Sequence, residues 1–215
     1  MANTKKNTKI LQYMPQEEGF LGIEEEYLAK PENAKAVVVP FGLEASVCYG
    51  AGTRVGPSAI IKASQQLEFF DEDHWCETYR KFGVATVEQP VIERLIPAAL
   101  DQLEEIVSEI VDQDKFPLIL GGEHSITAGS IRPFVKKYPD LAILHFDAHA
   151  DLRDGFEGEH YSHAAALRRV MDNPISTLIS CGIRNISQSE IPYLEENKDR
   201  ITIHWAKDIR KWNVE

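Results

Sequence analysis

An apolar run that ends in alternating aspartate and histidine is the feature of this sequence that most constrains its fold. Residues 141–146 have the length and composition of a buried strand, and Asp147, His149 and Asp151 follow at spacings of two residues. On an extended backbone, residues at this spacing point to the same side. In α/β sheets, the carboxyl end of a strand is where ligands bind. Two carboxylates and an imidazole converging there predict a metal site, whereas solvated acids at a strand end are the simpler alternative.

Strand-like and helix-like segments alternate along the chain, which predicts an α/β fold. Short apolar runs typical of strands occur at residues 36–40, 83–87, 116–120, 141–146, 177–181 and 201–204. Segments with the signals of a helix occur at residues 57–67, 92–111, 162–171 and 187–197. This order implies a parallel sheet covered by helices on both faces. Residues 1–34 are polar and broken by prolines, so we expect an N-terminal arm there and one α/β domain over residues 35–215.

The composition limits the classes of partner. The chain of 215 residues has a formal net charge of −11, which argues against nucleic acid and anionic membranes and suits a small cationic substrate. Its three cysteines have neither metal-type nor paired spacing, so we expect reduced thiols. The sequence shows no secretory signal pattern and no apolar run of membrane-spanning length. We therefore expect a cytoplasmic protein without a membrane partner.

A further candidate ligand follows the strand predicted at residues 116–120. A glycine pair ends that strand, and His124 comes soon after it. Consecutive parallel strands often neighbour each other, so His124 is expected to join the two aspartates and His149 in one cluster. A local hydrogen-bonding role is the alternative for this histidine. Carboxylates with some imidazole favour manganese, magnesium or iron over structural zinc. Carboxylates also bridge pairs of metal ions, an arrangement that activates water for hydrolysis.

Three residues near these candidates receive more ordinary predictions. Ser125 is predicted to cap the helix that follows the glycine pair. Glu123 is predicted to orient His124 from behind. His145 is expected to point away from the metal side, as a residue of the core or a support for the ligands.

Two short motifs resemble the first two metal motifs of the ureohydrolases, the arginase and agmatinase superfamily. They are GGEHS at residues 121–125 and DAHAD at residues 147–151. Further segments similar to the agmatinase branch are residues 39–42, 50–60, 151–154, 161–164 and 168–169, and residues 181–184 fit the strand that follows in the same family. The Asn-Thr and Gly-Asn-x-His-Gly patterns that arginases usually carry in this loop are not present. The resemblance covers about residues 36–185 and favours the agmatinase branch.

The resemblance implies an arginase-like fold, a three-layer sandwich, and a particular site. By it, His124, Asp147 and Asp151 would bind one manganese ion, and Asp147 and His149 would contribute to a second, with Asp147 bridging. A hydroxide held between two Mn²⁺ ions would attack the guanidinium carbon of a small cationic substrate. Agmatine would then give putrescine and urea, with His163 near the leaving amine or acting as a proton shuttle. Members of the family would be homo-oligomers, trimers or hexamers.

One part of the family pattern is missing from this sequence. We find no Ser-x-Asp-x-Asp motif, whose two aspartates would also bind metal. The resemblance therefore implies a ureohydrolase that lacks its C-terminal part, holds one metal ion weakly and turns over little. Two alternatives stay open. One is another amidinohydrolase or formimidoyl-hydrolase of the same fold, and the other is an inactive fragment with a partial metal site.

Overall fold

The computed structural model describes residues 11–24 and 30–209. The strands are β1 (Ala36–Phe41), β2 (Phe70–Asp71), β3 (Cys76–Glu77), β4 (Val84–Thr86), β5 (Phe116–Gly121), β6 (Ala142–Phe146), β7 (Thr177–Ile183) and β8 (Ile201–Trp205). The α-helices are α1 (Gly56–Ser64), α2 (Tyr79–Phe82), α3 (Ile96–Asp112), α4 (Thr127–Ser130), α5 (Arg132–Lys137), α6 (Ala166–Met171), α7 (Ile191–Glu196) and α8 (Ala206–Ile209). The six predicted strands are confirmed, and the β2–β3 hairpin was not predicted.

The described chain divides into two compact units. The first comprises the described residues up to Leu43, then Gly52–Ile92 and Glu105–Gly122; the second comprises Glu44–Ala51, Glu93–Glu104 and the described residues from Glu123 onward. Residues 1–10 and 25–29 of the predicted arm lie outside the described residues. The division into an arm over residues 1–34 and a domain over residues 35–215 stays a prediction.

The first unit contains a parallel sheet with strand order β4-β1-β5. Its central strand β1 is the β-branched run of the sequence, and Val37, Val38, Val39 and Phe41 are fully buried. A central parallel strand is covered on both faces, which is why this run is continuously apolar. After β5 the chain passes so close to another backbone that a Cβ atom on Gly122 would overlap the Leu43 carbonyl. Only glycine fits there.

The second unit contains a parallel sheet with strand order β6-β7-β8. Its core is formed by side chains from the loop before α6, from α6 and the loop after it, and from β7 and β8. Its fully buried members include Leu152, Leu167, Val170, Ile175 and Leu178. The pairing of β7 with β8 shifts register between Cys181 and Ile183. Gly182 at this irregularity has φ +88°, and a Cβ atom there would lie 3.3 Å from the Asp147 carbonyl oxygen. Glycine thus lets the loop after β6 lie close to β7.

The structure confirms the predicted α/β class, with parallel strands and flanking helices, and corrects two local predictions. Residues 141–146 are not a buried strand in the described sheet, since β6 pairs only with β7 and exposes Leu144 and Phe146. Ser125 is not an N-cap. It lies inside a 3-10 turn that Glu123 precedes, and its hydroxyl donates to the Glu123 carboxylate at 2.7 Å. Within the described part of the chain, no helix is both long and apolar enough to span a membrane.

The Glu190 carboxylate ties the start of α7 to the loop before α6. It is buried, and it accepts hydrogen bonds from the Ser187 amide (2.6 Å), the Ser187 hydroxyl (2.7 Å) and the Leu152 amide (2.8 Å). We predict that Glu190→Ala lowers the free energy of unfolding by about 2 kcal/mol, because the buried Leu152 amide loses its acceptor. Urea denaturation measures the loss. Glu196→Ala, on the exposed surface of α7, is the control, and an equal loss in both variants would contradict the prediction.

Candidate metal centre

Hydrogen bonds from both sides hold the loop that follows β6. The Asp147 amide donates to the Cys181 carbonyl of β7 at 3.2 Å, and the Ala150 amide donates to the Asn185 carbonyl at 3.3 Å. At the other end of the loop, the Asp151 carbonyl accepts from two amides at the start of α6, at 3.0 and 3.1 Å. The backbone of residues 147–151 is therefore fixed by β7 and α6.

The alignment of the predicted ligands has a different cause from the one that the sequence suggested. Residues 147–151 follow the end of β6 and are not an extended strand. Asp151 has a left-handed backbone with φ +52°, a conformation that aspartate adopts more readily than most other non-glycine residues. The explanation by alternation on an extended backbone is wrong. The hydrogen-bonded loop and its left-handed residue bring the side chains together.

The four predicted ligands meet at this loop. His124 Nδ1 lies 2.6 Å from Asp151 Oδ2 and 3.8 Å from Asp147 Oδ2. His149 Nδ1 lies 3.3 Å from Asp147 Oδ1, which also accepts the His149 amide at 2.8 Å. The four side chains line one cavity of about 560 Å³. Their side chains differ in exposure, from 11% for Asp151 to 59% for His149, so His149 faces the open side.

His145 belongs to the same group, contrary to the expectation that it points away. Its imidazole is buried and stacks on His124 with ring centroids 5.4 Å apart. Nδ1 lies 3.0 Å from the Ser180 hydroxyl, whereas Nε2 has no hydrogen-bond partner and lies 3.5 Å from Asp147 Oδ2. The strand period of two places residues 145 and 147 on one face, and this signal was already present in the sequence.

The protonation of these groups suits metal binding. Burial would raise the pKa of Asp147, but the His149 amide and the surrounding imidazoles outweigh it and hold the pKa below its ordinary value. Burial, reinforced by the neighbouring His124, lowers the pKa of His145. At neutral pH, Asp147 is therefore a carboxylate and His145 is neutral, the forms in which both side chains bind metals.

The donor set fits a divalent metal ion. Ligand atoms of His124, His145 and Asp147 all lie within 4.8 Å of one another. Carboxylate oxygens and imidazole nitrogens suit manganese, iron or magnesium. A buried imidazole nitrogen without a hydrogen-bond partner is costly unless something satisfies it, and His145 Nε2 is such an atom, 3.5 Å from the Asp147 carboxylate. The residues present thus match the metal that the family resemblance implies.

The sequence predicted some but not all of the other residues around the cavity. His163 lines the cavity, and its Nε2 lies 3.3 Å from Cys48 Sγ. Glu123 does not contact His124 as predicted; its carboxylate binds the segment around Ser46 instead. Glu190 also lines the cavity and was not singled out. The capping-box spacing of Ser187 and Glu190 is the sequence signal that could have found it.

Parallel strands, a loop of clustered acids and histidines after one of them and a carboxylate–imidazole cavity are the fold and site expected of an α/β protein of the ureohydrolase type. Residues 34–215 match the family model described as the arginase family. The chain therefore belongs to the arginase family, and the resemblance noted from its two short motifs is confirmed.

Several relatives of known name are similar to the chain. The agmatinase of Bacillus cereus is 38% identical over 169 residues, covering 77% of this chain and 57% of the relative. The N(1)-aminopropylagmatine ureohydrolase of Synechocystis is 32% identical, covering 87% of this chain and 62% of the relative. Among solved structures, the agmatine ureohydrolase of Thermoplasma volcanium has a TM-score of 0.74 and 28% identity, covering 84% of this chain and 60% of the other. The chain thus spans about three fifths of the relatives it matches.

We predict that Asp147→Ala weakens Mn²⁺ binding more than substitution of any other candidate ligand, by at least ~100-fold, because its carboxylate lies beside His124, His145 and His149. Titration calorimetry and metal content after dialysis measure the effect. Asp140→Ala, an exposed aspartate at the opposite end of β6, is the matched control. Unchanged metal content in Asp147→Ala would show that the metal binds elsewhere.

Proposed function

We propose that this chain contributes the first metal-binding motifs of a manganese-dependent ureohydrolase that converts agmatine to putrescine and urea. The convergence of His124, Asp147, His149 and Asp151 at one cavity is the observation that carries the proposal. Relatives named agmatinase, at 36–38% identity, support the choice of substrate. His163, in the same cavity, is proposed to act in proton transfer.

The proposed ligands are assigned to two manganese ions as the family resemblance implies. His124, Asp147 and Asp151 would hold one manganese ion, and Asp147 and His149 would contribute to a second. His145 offers a further nitrogen beside Asp147. Manganese bound here supplies a nucleophile from water near neutral pH, which the weakly electrophilic guanidinium carbon requires.

The cavity suits a cationic substrate. Its lining includes the carboxylates of Glu123, Asp147, Asp151 and Glu190. The one arginine in the cavity lining, Arg153, lies 4.0 Å from a Glu190 oxygen and 4.7 Å over the Phe156 ring. With one Mn²⁺ offset by Asp147 and Asp151, the remaining carboxylates of Glu123 and Glu190 still outnumber Arg153, and this negative excess attracts a guanidinium and an amine. The Phe156 ring provides an apolar wall for the methylene chain between them.

A second substrate has a specific observation in its favour. The Synechocystis relative named N(1)-aminopropylagmatine ureohydrolase covers 87% of this chain, more than the Bacillus cereus agmatinase does. Such a substrate shares the guanidinium of agmatine and carries a longer polyamine chain. The reacting group would occupy the same site, and the two substrates would differ only in contacts far from the metal.

The substrate is tested by urea release in the presence of Mn²⁺. The 215-residue chain and a chimera are compared, and the chimera carries in addition the part of Bacillus cereus agmatinase that this chain does not match. Agmatine, N(1)-aminopropylagmatine, arginine and N-formiminoglutamate are offered to each, and Asp147→Ala in the chimera is the control. Preference for arginine, or formamide release from N-formiminoglutamate, would contradict the proposed substrate.

The 215-residue chain is predicted to hold one Mn²⁺ weakly and to release urea from agmatine at less than about one hundredth of the chimera's rate. Two dications need several carboxylates and a fixed geometry, and the two motifs supply only Asp147 and Asp151. Metal analysis and urea release measure both quantities. Two tightly bound ions and an equal rate would show that other acids, such as Asp154 or Glu157, complete the site.

His163 is predicted to affect turnover and not metal binding. Its imidazole lies outside the ligand group, and a histidine side chain in such a cavity can act as a general acid or base. In the chimera, His163→Ala should lower kcat by about 10²- to 10⁴-fold, the usual contribution of a general acid or base, while Mn²⁺ stoichiometry stays the same. Loss of Mn²⁺ in this variant would assign His163 to the metal site instead.

We also propose that the protein works in the cytoplasm as a homo-oligomer, a trimer or hexamer, without nucleic-acid partners. The net charge of −11 supports the absence of nucleic acid, and the family resemblance supports the oligomer. Light scattering of the purified protein tests the oligomeric state.

A further inference from the structure

The buried Glu123 carboxylate organises a segment far away in the sequence. Its Oε2 accepts the amides of Ala45 and Ser46 at 2.5 and 2.7 Å. Its Oε1 accepts the hydroxyls of Ser46 and Ser125, both at 2.7 Å. The Glu123 side chain is thus surrounded by donors, and it fixes the Ser46 hydroxyl in one place and one orientation.

The hydrogen-bond partners of the Ser46 hydroxyl determine what it presents to His163. A hydroxyl offers one hydrogen and two acceptor lone pairs. Its hydrogen goes to Glu123, since a bond to a carboxylate is shorter and stronger than one to a neutral group. One lone pair accepts the His163 amide at 2.9 Å. The other faces His163 Nδ1 at 3.1 Å. Two lone pairs would oppose each other there unless Nδ1 carries a hydrogen.

We infer that Glu123, acting through Ser46, holds the neutral His163 imidazole in the tautomer with its hydrogen on Nδ1. Nε2 is then the unprotonated, basic nitrogen. It faces Cys48, whose Sγ lies 3.3 Å away, and a thiol is a weak hydrogen donor that suits an unprotonated nitrogen. Ser46 and Glu123 are in this assignment positioning residues, since neither acts on a substrate directly.

The Ser162 hydroxyl could instead donate to His163 Nδ1, which would favour the tautomer with hydrogen on Nε2, but its position is less suitable. The Ser162 hydroxyl lies 3.4 Å from His163 Nδ1 and accepts the Ala164 amide as the cap of the following turn. At 3.4 Å this contact is longer than the N···O separations of about 2.7–3.2 Å that are usual for hydrogen bonds. The Ser46 contact is shorter, and Ser46 also receives the His163 amide. A hydrogen bond to Ser46 predicts hydrogen on Nδ1, and a hydrogen bond from Ser162 predicts hydrogen on Nε2. An experiment can distinguish the two.

The tautomer matters for the chemistry of the cavity, a consequence that rests on the proposed function. An imidazole with hydrogen on Nδ1 takes a second proton only at Nε2, and the water that provides the attacking oxygen is the source of that proton. It can then give that proton to the leaving amine nitrogen as the C–N bond breaks, and it returns to its starting form. Throughout this exchange Nδ1–H stays bonded to Ser46, and the Glu123 carboxylate offsets the transient positive charge. The opposite tautomer would place the basic nitrogen toward Ser46.

The tautomer is measured directly by ¹⁵N NMR of the 215-residue chain labelled in its histidine rings. Spectra recorded at pH 9, well above the ordinary imidazole pKa, show which nitrogen of each ring carries hydrogen, and His163→Gln identifies the relevant signals. We expect the protonated-type resonance on Nδ1 and the unprotonated-type resonance on Nε2. The reverse pattern in the unsubstituted chain overturns the inference.

Glu123→Gln is the decisive variant because a glutamine side chain has nearly the same shape as glutamate but reverses the direction of the hydrogen bond with the Ser46 hydroxyl. With its oxygen accepting the Ala45 and Ser46 amides, the Gln nitrogen would donate to the Ser46 hydroxyl. That hydroxyl would then donate to His163 Nδ1. The two ¹⁵N resonances should exchange their types, with hydrogen now on Nε2. An unchanged tautomer in a folded Glu123→Gln chain contradicts the relay.

Matched variants distinguish the relay from a general disturbance of the fold. Ser125→Ala removes the other hydroxyl on Glu123 Oε1 without touching His163, so its tautomer should not change. Ser46→Thr keeps a hydroxyl and should keep the tautomer, whereas Ser46→Ala should lose it. If Glu123→Gln does not fold, the Ser46→Ala and Ser46→Thr pair decides. None of these readouts depends on activity, so failure of the proposed function leaves this test intact.

Discussion

The hydrogen bonds that hold residues 147–151 against β7 and α6 are the constraint on which the candidate site depends. Besides the amides already described, the Ala148 carbonyl accepts the Arg184 and Asn185 amides at 2.8 and 3.0 Å. The loop thus both donates to and accepts from the end of β7. Two aspartates would ordinarily separate to reduce their mutual repulsion. A backbone fixed from both sides keeps Asp147 and Asp151 beside His124 in spite of that repulsion, and a prearranged site loses less entropy on binding.

Much of the fold could be predicted from local patterns because its causes are local. The β-branched run at 36–40 becomes β1, and the apolar spacing within 92–111 becomes α3, whose residues Leu100 and Leu103 are fully buried. The helix begins four residues later than predicted, at Ile96, with a proline at its second position. Proline suits the first turn of a helix. Such boundaries depend on which backbone groups find partners, and a periodicity alone does not specify them.

The site could be predicted in composition but not in geometry. The spacing of acids and histidines indicated which residues converge, yet the loop conformation depends on contacts with β7, about 30 residues further along the chain. The end of the strand at Phe146 was predicted correctly. His145 was misplaced because the two-residue period that relates it to Asp147 was not continued past that end. The relay from Glu123 to His163 through Ser46 spans 77 and 117 residues in sequence. Nothing in the local sequence at any of its three positions marks it.

Two buried glutamates play equivalent structural roles: one supports the loop with the candidate metal ligands, and the other supports the segment that contacts His163. Glu190 accepts the Leu152 amide and so holds the chain just after Asp151. Glu123 accepts two amides beside Ser46 and so holds the segment that contacts His163. In each case a carboxylate replaces water as the acceptor for backbone amides that no strand or helix satisfies, and an unsatisfied buried amide is costly. The two carboxylates act on separate loops: Glu190 supports the chain beside Asp151, and Glu123 supports the segment beside His163.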